Sequence, residues 1–406
     1  MSDYLKEKDG YNPKTLMEEA SRCLLCLDAP CSQSCPAGTD PGKFIRSVRF
    51  KNIEGAVHTV RENNILAGIC ARVCPTEKYC QEACSRTGID KPIDIGLIQR
   101  YITDYEKCAK INVLEKAKPN GKKVAIVGAG PAGLSAAGNL ALRGFDVTVY
   151  DKNAKAGGYL RYGIPEYRLP NSVLDYEVKL IEDLGVKFVF NLRIGTDILI
   201  DDLKKKNDAV ILAVGFSQGK MLPIFEGNKK VKLAVDFLNQ VKTKKGKVKI
   251  PNEAVVIGGG DVAMDVSTTL KKLGCERVTD CAYEEFSEFR ASLAELELAE
   301  KMGVTILDGY IPVSATKSGV VTFKHRFINS TLKIKTPLIV LAIGQVSDFG
   351  GLNVKPEDLT NKNYQVKGTN LFYAGDIAPG DKTVVYSVKT GKEVCKTVME
   401  YLGGNK

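Results

Sequence analysis

Eight cysteines stand in two short arrays near the beginning of the sequence, one reading RCLLCLDAPCSQSCP and the other CARVCPTEKYCQEAC. Clustered thiolates bind zinc or iron-sulfur clusters, because a short loop can direct several sulfurs at one metal centre. Cys35 and Cys74 each precede proline, which is typical of runs whose last cysteine serves a neighbouring cluster. The spacing therefore favours two 4Fe-4S clusters, with structural zinc as the alternative. The stretch between the arrays has helical spacing, so this module is predicted to be α-helical.

Beyond a lysine-rich linker, the chain changes to alternating strands and helices. The stretch KVAIVGAGPAGLSAAGNLALRGFDVTVYDK predicts a strand, a glycine-rich turn, a helix and a second strand. Glycines let the backbone approach a pyrophosphate, and the helix N-terminus favours its negative charge. An acid at the end of the second strand can accept a hydrogen bond from a ribose hydroxyl. The predicted dinucleotide contacts are Gly128, Gly130, Gly133 and Asp151.

The same order of elements recurs at EAVVIGGGDVAMDVSTTLKKLGCERVTDCAYEEF, with Gly258, Gly260 and Ala263 in the fingerprint. Two such units predict two dinucleotides. Carboxylates near the ribose accept from its 2′-hydroxyl and repel a 2′-phosphate, so Glu284 favours NAD over NADP. Arg290 nearby is the counter-evidence, and we interpret it as a surface arginine.

Two apolar stretches, ILAVG and IVLAIG, bracket the second dinucleotide unit. This bracketing predicts that the second unit is inserted into the first. Behind them lies the sequence AGD, followed by a helix that begins near Thr383. In this setting Asp376 can bond a ribityl hydroxyl, and the helix N-terminus can stabilise negative charge on a flavin.

Composition narrows the function classes. The net charge of +10 resides in lysine clusters without interleaved aromatic residues, so we expect a solvated surface and no nucleic-acid partner. No apolar run approaches the roughly 20 residues of a membrane span. The polar opening MSDYLKEKDG has no signal-peptide pattern, so we expect a cytoplasmic protein with reduced thiols.

The order of the cysteine arrays, GAGPAG, GGYLRYGIPEYRLP, GGGDVAMD and AGD resembles one family of iron-sulfur flavoproteins. That family contains the glutamate synthase small subunit and the N-terminal half of dihydropyrimidine dehydrogenase. The stretches CLDAPCSQSCPAGTDPGKFIRS, CARVCPTEKYC and GDKTVVYSVKTGKE are most similar to the flavoprotein subunits of bacterial NAD-dependent dihydropyrimidine dehydrogenases.

The resemblance implies FAD in the first dinucleotide unit and NAD(H) in the second. It implies FAD contacts at Gly128, Gly130, Gly133, Asp151, Gly157, Gly158, Arg168 and Asp376, to which the predicted helix start adds Thr383. With the fingerprint residues, the implied NAD contacts are Gly258, Gly260, Asp261, Val262, Ala263, Met264, Tyr283, Glu284, Arg290, Ala342, Ile343 and Gly344.

The resemblance also implies how the cysteines are shared between clusters. One cluster takes Cys23, Cys26, Cys31 and Cys84, and the other takes Cys35, Cys74, Cys80 and Gln99. Cys70 is then left without a metal. The spacing alone leaves open two all-cysteine sites, in which Cys70 replaces Gln99.

These expectations combine into an α/β protein with an N-terminal α-helical iron-sulfur module and two Rossmann-like domains, the NAD domain inserted into the FAD domain. The predicted domains are residues 1–118 for the cluster module, 119–217 and 336–406 for FAD, and 218–335 for NAD. Little length remains for a substrate-binding barrel of roughly 250 residues. We therefore expect an electron-input subunit without a catalytic acid or base, since hydride transfer to a flavin needs neither.

The resemblance implies a partner subunit with FMN and further iron-sulfur clusters that reduces uracil or thymine. Within the same enzyme class, the alternatives are a glutamate synthase small subunit and a ferredoxin-NAD(P) reductase. Outside it, the alternative is a zinc-stabilised binding protein that senses nucleotides.

Overall fold

The computed structural model describes residues 3–403, which form two compact units that alternate along the sequence. The larger unit contains residues 9–160, 171–216 and 348–403. The smaller unit contains residues 3–8, 161–170 and 217–347. The smaller unit thus interrupts the larger one in sequence, which confirms the predicted insertion.

The first part of the larger unit is helical, as predicted. Its helices are α1 (Pro13–Ser21), α2 (Pro30–Gln33), α3 (Pro41–Arg49), α4 (Ile53–Asn63), α5 (Ala67–Val73) and α6 (Ile95–Ala109). Side-chain oxygens of Asn12, Asp40, Asn52 and Asp94 cap α1, α3, α4 and α6 by accepting backbone N–H bonds. These caps satisfy donors that a helix leaves unpaired in its first turn.

A parallel sheet with its covering helices follows in the larger unit. The elements are β1 (Lys123–Val127), α7 (Pro131–Ala141), β2 (Asp146–Tyr150), α8 (Tyr159–Tyr162), α9 (Asn171–Asp183), β3 (Lys187–Val189), α10 (Ile200–Lys206) and β4 (Ala209–Leu212). In register, Val124 of β1 lies opposite Val147 of β2 and Ala209 of β4. Four of the five residues of β1 are buried, as expected of a central strand covered on both faces.

The smaller unit has a parallel sheet of its own. Its elements are β5 (Gln218–Gly219), β6 (Val231–Leu233), α11 (Ala234–Thr243), β7 (Glu253–Ile257), α12 (Asp261–Lys272), β8 (Arg277–Cys281), α13 (Leu293–Lys301), β9 (Thr305–Leu307), β10 (Tyr310–Ala315), β11 (Val320–His325), β12 (Thr331–Lys335), β13 (Ile339–Leu341) and β14 (Gln345–Val346). The strand order is β6-β13-β7-β8-β9, beside an antiparallel sheet β10-β11-β12 and a short β14-β5 pair.

One predicted boundary differs from this division of the chain. The FAD domain was expected to resume at residue 336, but β13 pairs in parallel with both β6 and β7 of the smaller unit. β13 is fully buried, as expected of a strand that has a neighbour on each side in a covered parallel sheet. It therefore belongs to the smaller unit. The division does not separate residues 1–118 from the sheet of the larger unit, so that boundary stays a prediction.

The chain completes the larger sheet with β15 (Leu371–Tyr373) and then ends the fold with α14 (Val384–Tyr401). The completed order is β15-β4-β1-β2-β3, with all neighbours parallel. α14 packs on α7, where the Ser135 hydroxyl donates to the Val388 carbonyl at 2.9 Å. Among residues 3–403, none of the helices combines the length and apolar character needed to cross a bilayer.

Two distant segments join the core of the smaller unit. Tyr4 is fully buried and meets Tyr167 edge to face, with 6.0 Å between ring centroids. Lys242 of α11 donates to the carbonyls of Ile164 and Leu169 at 2.6 and 3.1 Å. These contacts fix residues 161–170 against α11 and α12.

Candidate functional site

Four cysteines of the larger unit line one cavity. They are Cys23, Cys26, Cys31 and Cys84, which come from the segment after α1, from α2 and from the loop before α6. The cavity contains about 380 Å³ of space when its opening to solvent is included, and most of its other lining is apolar. The fold thus brings together the four residues predicted as one ligand set.

A second cavity, of about 360 Å³, is lined by Cys35, Cys74, Cys80 and Gln99. Gln99 is buried on α6, and its amide nitrogen donates to the Ala67 carbonyl at 2.8 Å. The structure thus gathers the second predicted ligand set as well. Cys70 lines the same cavity, so the choice between Gln99 and Cys70 as the fourth ligand stays a prediction.

Burial disfavours the thiolate form of these cysteines, so they need a nearby positive charge before they can lose their protons. Burial raises the pKa of Cys31 to about 11 and that of Cys70 to about 12, and it raises the pKa of Cys74 well above its ordinary value. Iron supplies the positive charge that stabilises a buried thiolate, and its binding releases the protons. Across residues 3–403, no three His, Cys, Asp or Glu side chains are arranged to hold a single metal ion; the cysteines surround the two cavities instead.

The two cavities adjoin each other, and the second adjoins α14. Ile95 lines both cavities, and Val385 in the first turn of α14 lines the second. Thr383 caps α14 by accepting from the Tyr386 N–H at 3.3 Å. The Tyr79 hydroxyl, from the loop between two cavity cysteines, donates to Asp381 at 3.0 Å.

Lys392 of α14 is a residue that the sequence did not identify. Its ammonium donates to the carbonyls of Ala37 and Asn63, both at 2.6 Å. Ala37 follows the Cys35-Pro36 pair, so the lysine fixes the loop that carries one predicted cluster ligand. Its contact partners are more than three hundred residues away in sequence, and no local pattern could have indicated them.

The glycine-rich turn between β1 and α7 has the form that a phosphate site needs. Gly128 has φ +108°, and a Cβ there would lie 2.4 Å from the Ala213 carbonyl oxygen, so only glycine fits. A Cβ on Gly133 would lie 1.9 Å from the Gly128 oxygen. A Cβ on Gly130 would meet nothing within 4 Å, which leaves space for a ligand at the N-terminus of α7.

Asp151 follows β2 and is fixed to this turn. Its carboxylate accepts from the Ala129 N–H at 2.7 Å and from the Asn153 N–H at 2.8 Å. Burial raises its pKa despite these two donors. Gly157 donates to the Ala129 carbonyl at 2.8 Å, and Gly158 also approaches the turn. The structure therefore brings these predicted FAD residues together, while their contacts with FAD stay predictions.

Asp376 stands between β15 and α14, at the position predicted for a flavin contact. Its carboxylate accepts from the Ser387 hydroxyl at 3.4 Å, and burial raises its pKa. Arg168 has different surroundings, in the smaller unit. Its guanidinium pairs with Asp265 at 2.7 Å and with Glu295 at 2.9 Å, and its predicted FAD contact stays a prediction.

The glycine-rich turn between β7 and α12 repeats the geometry of the first turn. A Cβ on Gly258 would lie 2.4 Å from the Ala342 oxygen, whereas one on Gly260 would meet nothing within 4 Å. Ala263 and Met264 are fully buried in the core, so only their backbone could serve a nucleotide. The other predicted contacts in these segments are Asp261 and Val262 on α12 and Ile343 and Gly344 after β13.

Glu284 lies against the second turn, where a ribose acid is expected. Its carboxylate is 2.7 Å from the position that a Cβ would take on Gly259. The half-exposed Tyr283 ring has the Arg326 guanidinium over one face, with 4.2 Å from Cζ to the ring centroid. The Arg290 N–H faces the Gly259 carbonyl at 3.3 Å. Arg326 was missed from the sequence because it follows β11, 43 residues after Tyr283.

The surface beside the first cavity is apolar and basic. Leu27 is 93% exposed and Leu24 is 46% exposed, next to cavity cysteines. Arg86 lines the cavity and pairs with Asp90 at 2.8 Å, and the Arg49 guanidinium donates to the Cys23 carbonyl.

Comparison with known proteins shows which families the chain resembles. Residues 1–111 match the family described as dihydropyrimidine dehydrogenase domain II, 4Fe-4S cluster, and residues 122–393 match pyridine nucleotide-disulphide oxidoreductases. The chain is 50% identical over 406 residues to the NAD-dependent dihydropyrimidine dehydrogenase subunit PreT of Escherichia coli (strain K12), covering 99% of this chain and 98% of that protein. The PreT subunit of Salmonella typhimurium is 48% identical over 404 residues, with 98% of each chain covered.

Solved structures confirm the fold of the nucleotide-binding part. FprA from Mycobacterium tuberculosis in complex with NADPH matches with a TM-score of 0.59 at 18% identity, covering 70% of this chain and 85% of that chain. The thioredoxin reductase of T. acidophilum matches with a TM-score of 0.55 at 17% identity, covering 69% of this chain and 99% of that chain.

Proposed function

Because this chain belongs to the family of the NAD-dependent dihydropyrimidine dehydrogenase subunit PreT, we propose that it is the electron-input subunit of a dihydropyrimidine dehydrogenase. It is an oxidoreductase subunit whose cofactors are FAD, a nicotinamide nucleotide and iron-sulfur clusters. The proposal adds that the donor is NADH and that the clusters number two. The partner subunit carries FMN and further clusters, and it reduces the C5–C6 double bond of uracil or thymine.

One observation supports the proposed order of the electron carriers. The second cavity is lined by Val385 in the first turn of α14, two residues after the predicted flavin contact Thr383. Ile95 then forms a wall common to both cavities. A flavin, the second cluster and the first cluster would therefore be consecutive neighbours, and the first cluster would lie beside the exposed Leu27.

Bound FAD accepts two electrons from NADH as a hydride and can release them singly, which links a nicotinamide to one-electron clusters. The chain contributes binding and electrostatics rather than a proton. Gly130 and Gly260 leave room for phosphates at two helix N-termini, whose partial positive charge favours them. In the whole reaction, NADH, a solvent proton and uracil give NAD⁺ and 5,6-dihydrouracil.

The exposed leucines support a partner at the first cavity. Leu24 and Leu27 offer apolar contact area, and Arg86, which is paired with Asp90, lines the cavity beside Leu24. A partner with an apolar centre to its interface would complement these leucines. Leu27→Asp should therefore slow electron delivery to the partner while leaving NADH-dependent dye reduction unchanged.

Reconstitution tests the function directly. The isolated chain should reduce artificial acceptors with NADH and should not reduce uracil, because the proposal assigns residues 3–403 to the cluster module and the two nucleotide-binding folds. Addition of the FMN-containing pyrimidine-reducing subunit should give NADH-dependent formation of 5,6-dihydrouracil. Chromatography of the reaction mixture measures this product. Uracil reduction by the isolated chain would refute the split-subunit proposal. Glutamate formation with a glutamate synthase large subunit, and no pyrimidine reduction, would assign the chain to that branch.

Iron analysis tests the cluster count. Anaerobically purified protein should contain about eight irons and one FAD if both cavities hold 4Fe-4S clusters. Cys35→Ser should remove about half of the iron, whereas Cys70→Ser should retain it if Gln99 completes the second site. Both substitutions replace one sulfur by oxygen in the lining of the second cavity, so each serves as the control for the other. Stoichiometric zinc without iron would exclude the cluster assignment, and iron loss in Cys70→Ser would favour two all-cysteine sites.

A further inference from the structure

Arg326 lies at the predicted nucleotide site although it is distant in sequence from the glycine-rich turn. It follows β11, and its backbone N–H donates to the Gly309 carbonyl at 2.8 Å. Gly309 in turn donates to the Glu284 carbonyl at 2.9 Å. The backbone thus places this arginine beside the segment that carries the predicted ribose acid.

The guanidinium is engaged on several sides. Its Nη1 donates to the Tyr283 carbonyl at 3.0 Å and to the Glu288 carboxylate at 3.2 Å. Its Cζ lies 4.2 Å from the Tyr283 ring centroid and 4.6 Å from that of Phe327. The side chain is only 19% exposed, whereas the Glu288 side chain is 52% exposed. A planar cation stacked between two rings is well suited to fix the position of both.

The segment that Arg326 contacts is rich in carboxylates. The Glu285 N–H donates to Glu288 at 3.2 Å, and the Phe286 N–H donates to Asp308 at 3.1 Å. The Glu285 N–H and then the Arg326 guanidinium hold the pKa of Glu288 below its usual range. The Arg326 guanidinium is therefore paired with Glu288 in a segment that also carries Glu284, the predicted ribose acid.

We propose that Arg326 is a positioning residue that determines nucleotide specificity. Arg326 orders the Tyr283–Glu288 segment so that Glu284 stays beside the glycine-rich turn. The ion pair with Glu288 makes the positive charge of Arg326 unavailable to a 2′-phosphate. An arginine near a ribose site is otherwise suited to bind that phosphate. The inference rests on the proposed use of NADH and extends it to a residue outside the predicted contacts.

The two members of the ion pair should have opposite effects. Arg326→Gln releases the segment, so the KM for NADH in flavin reduction should rise by about tenfold, while the limiting rate at saturating NADH is unchanged. Arg326→Lys should recover part of this loss, because it retains the charge without the planar stacking. Glu288→Gln removes a negative charge and frees the Arg326 guanidinium, so flavin reduction by NADPH should improve. The fold should be retained, because Glu288 is exposed.

A double-mutant cycle makes the test decisive, with stopped-flow bleaching of the flavin in the holoprotein as the readout. The gain in NADPH use from Glu288→Gln should disappear in the Arg326→Gln background if it depends on the freed guanidinium. Lys324→Gln is the matched control, since it removes an exposed positive charge from the adjacent strand β11 without touching Tyr283. It should leave both nucleotides unaffected.

Three results would overturn the inference. They are an unchanged KM for NADH in Arg326→Gln, a NADPH gain that persists without Arg326, and an equal effect of Lys324→Gln. Each of these leaves the wild-type preference for NADH, and so the proposed function, intact. Faster bleaching of the wild type by NADPH would overturn both together, because the arginine would then be free to serve a phosphate.

Discussion

The two glycine-rich turns have similar backbones but hold their acidic residues differently. At the first turn, Asp151 is 7% exposed and accepts two backbone N–H groups, one of them from the turn itself. At the second turn, Glu284 stands beside Gly259 on a partly exposed segment that Arg326 contacts from the loop after β11. The first arrangement suits a cofactor that stays bound, and the second suits a nucleotide that must enter and leave at each turnover.

The largest effect should come from removing the fixed acid. Asp151→Ala leaves the Ala129 and Asn153 N–H groups without their acceptor, which should cost about 2 to 4 kcal/mol. We expect loss of FAD during gel filtration and a lower free energy of unfolding in urea. Asp151→Asn keeps an acceptor oxygen and should retain much more FAD. Equal FAD content in wild type and Asp151→Ala would remove the distinction between the two turns.

A smaller effect is expected at the adjustable acid. Glu284→Arg replaces a hydrogen-bond acceptor for the 2′-hydroxyl by a cation, so the preference should shift from NADH toward NADPH by about 1 to 3 kcal/mol. The ratio of the two kcat/KM values for dye reduction measures this shift. FAD content should not change, since Glu284 belongs to the other unit. A fall in FAD content would show that the two acids are not independent.

Each unit also has a lysine that donates to two backbone carbonyls, the half-buried Lys392 in the larger unit and the buried Lys242 in the smaller one, and the change in stability that Lys242 contributes within one pH unit is small. Burial lowers the pKa of Lys242 from 10.5 to about 7. Between these values the unfolded chain binds a proton that the folded chain does not, so this lysine should make the free energy of unfolding rise with pH. The slope from one proton is at most about 1.4 kcal/mol per pH unit, and it vanishes below pH 7.

Urea unfolding at several pH values in this window checks the effect, with Lys242→Met as the comparison. The variant should lose the slope contributed by this lysine, even though the Ile164 and Leu169 carbonyls lose their donor and the overall stability falls. Parallel pH profiles for wild type and variant would show that Lys242 is protonated in the folded protein as well.

The parts of the molecule that the sequence predicted are those with local, periodic signals. Both glycine-rich turns follow an apolar strand and precede a helix. The spacing of the cysteines in the two arrays predicts iron-sulfur cluster ligands. The insertion could be predicted from two apolar strands. By contrast, Lys392 and Arg326 act over long sequence separations through flexible side chains, which leave no periodic trace. The sequence also did not predict that two backbone N–H groups donate to Asp151. An acid at the end of a strand could equally have pointed into solvent.

The burial of Tyr4 has a consequence for how the protein is made. This ring belongs to the smaller unit, whose sheet is complete only once β13 has been synthesised. The segment around Tyr4 therefore leaves the ribosome long before the core that will cover it. Until that core forms, the apolar side chain is open to non-native contacts. The larger unit finishes later still, with β15 and α14. Capture of FAD, which is predicted to need Asp376 and Thr383, would then be one of the last events after synthesis of the chain.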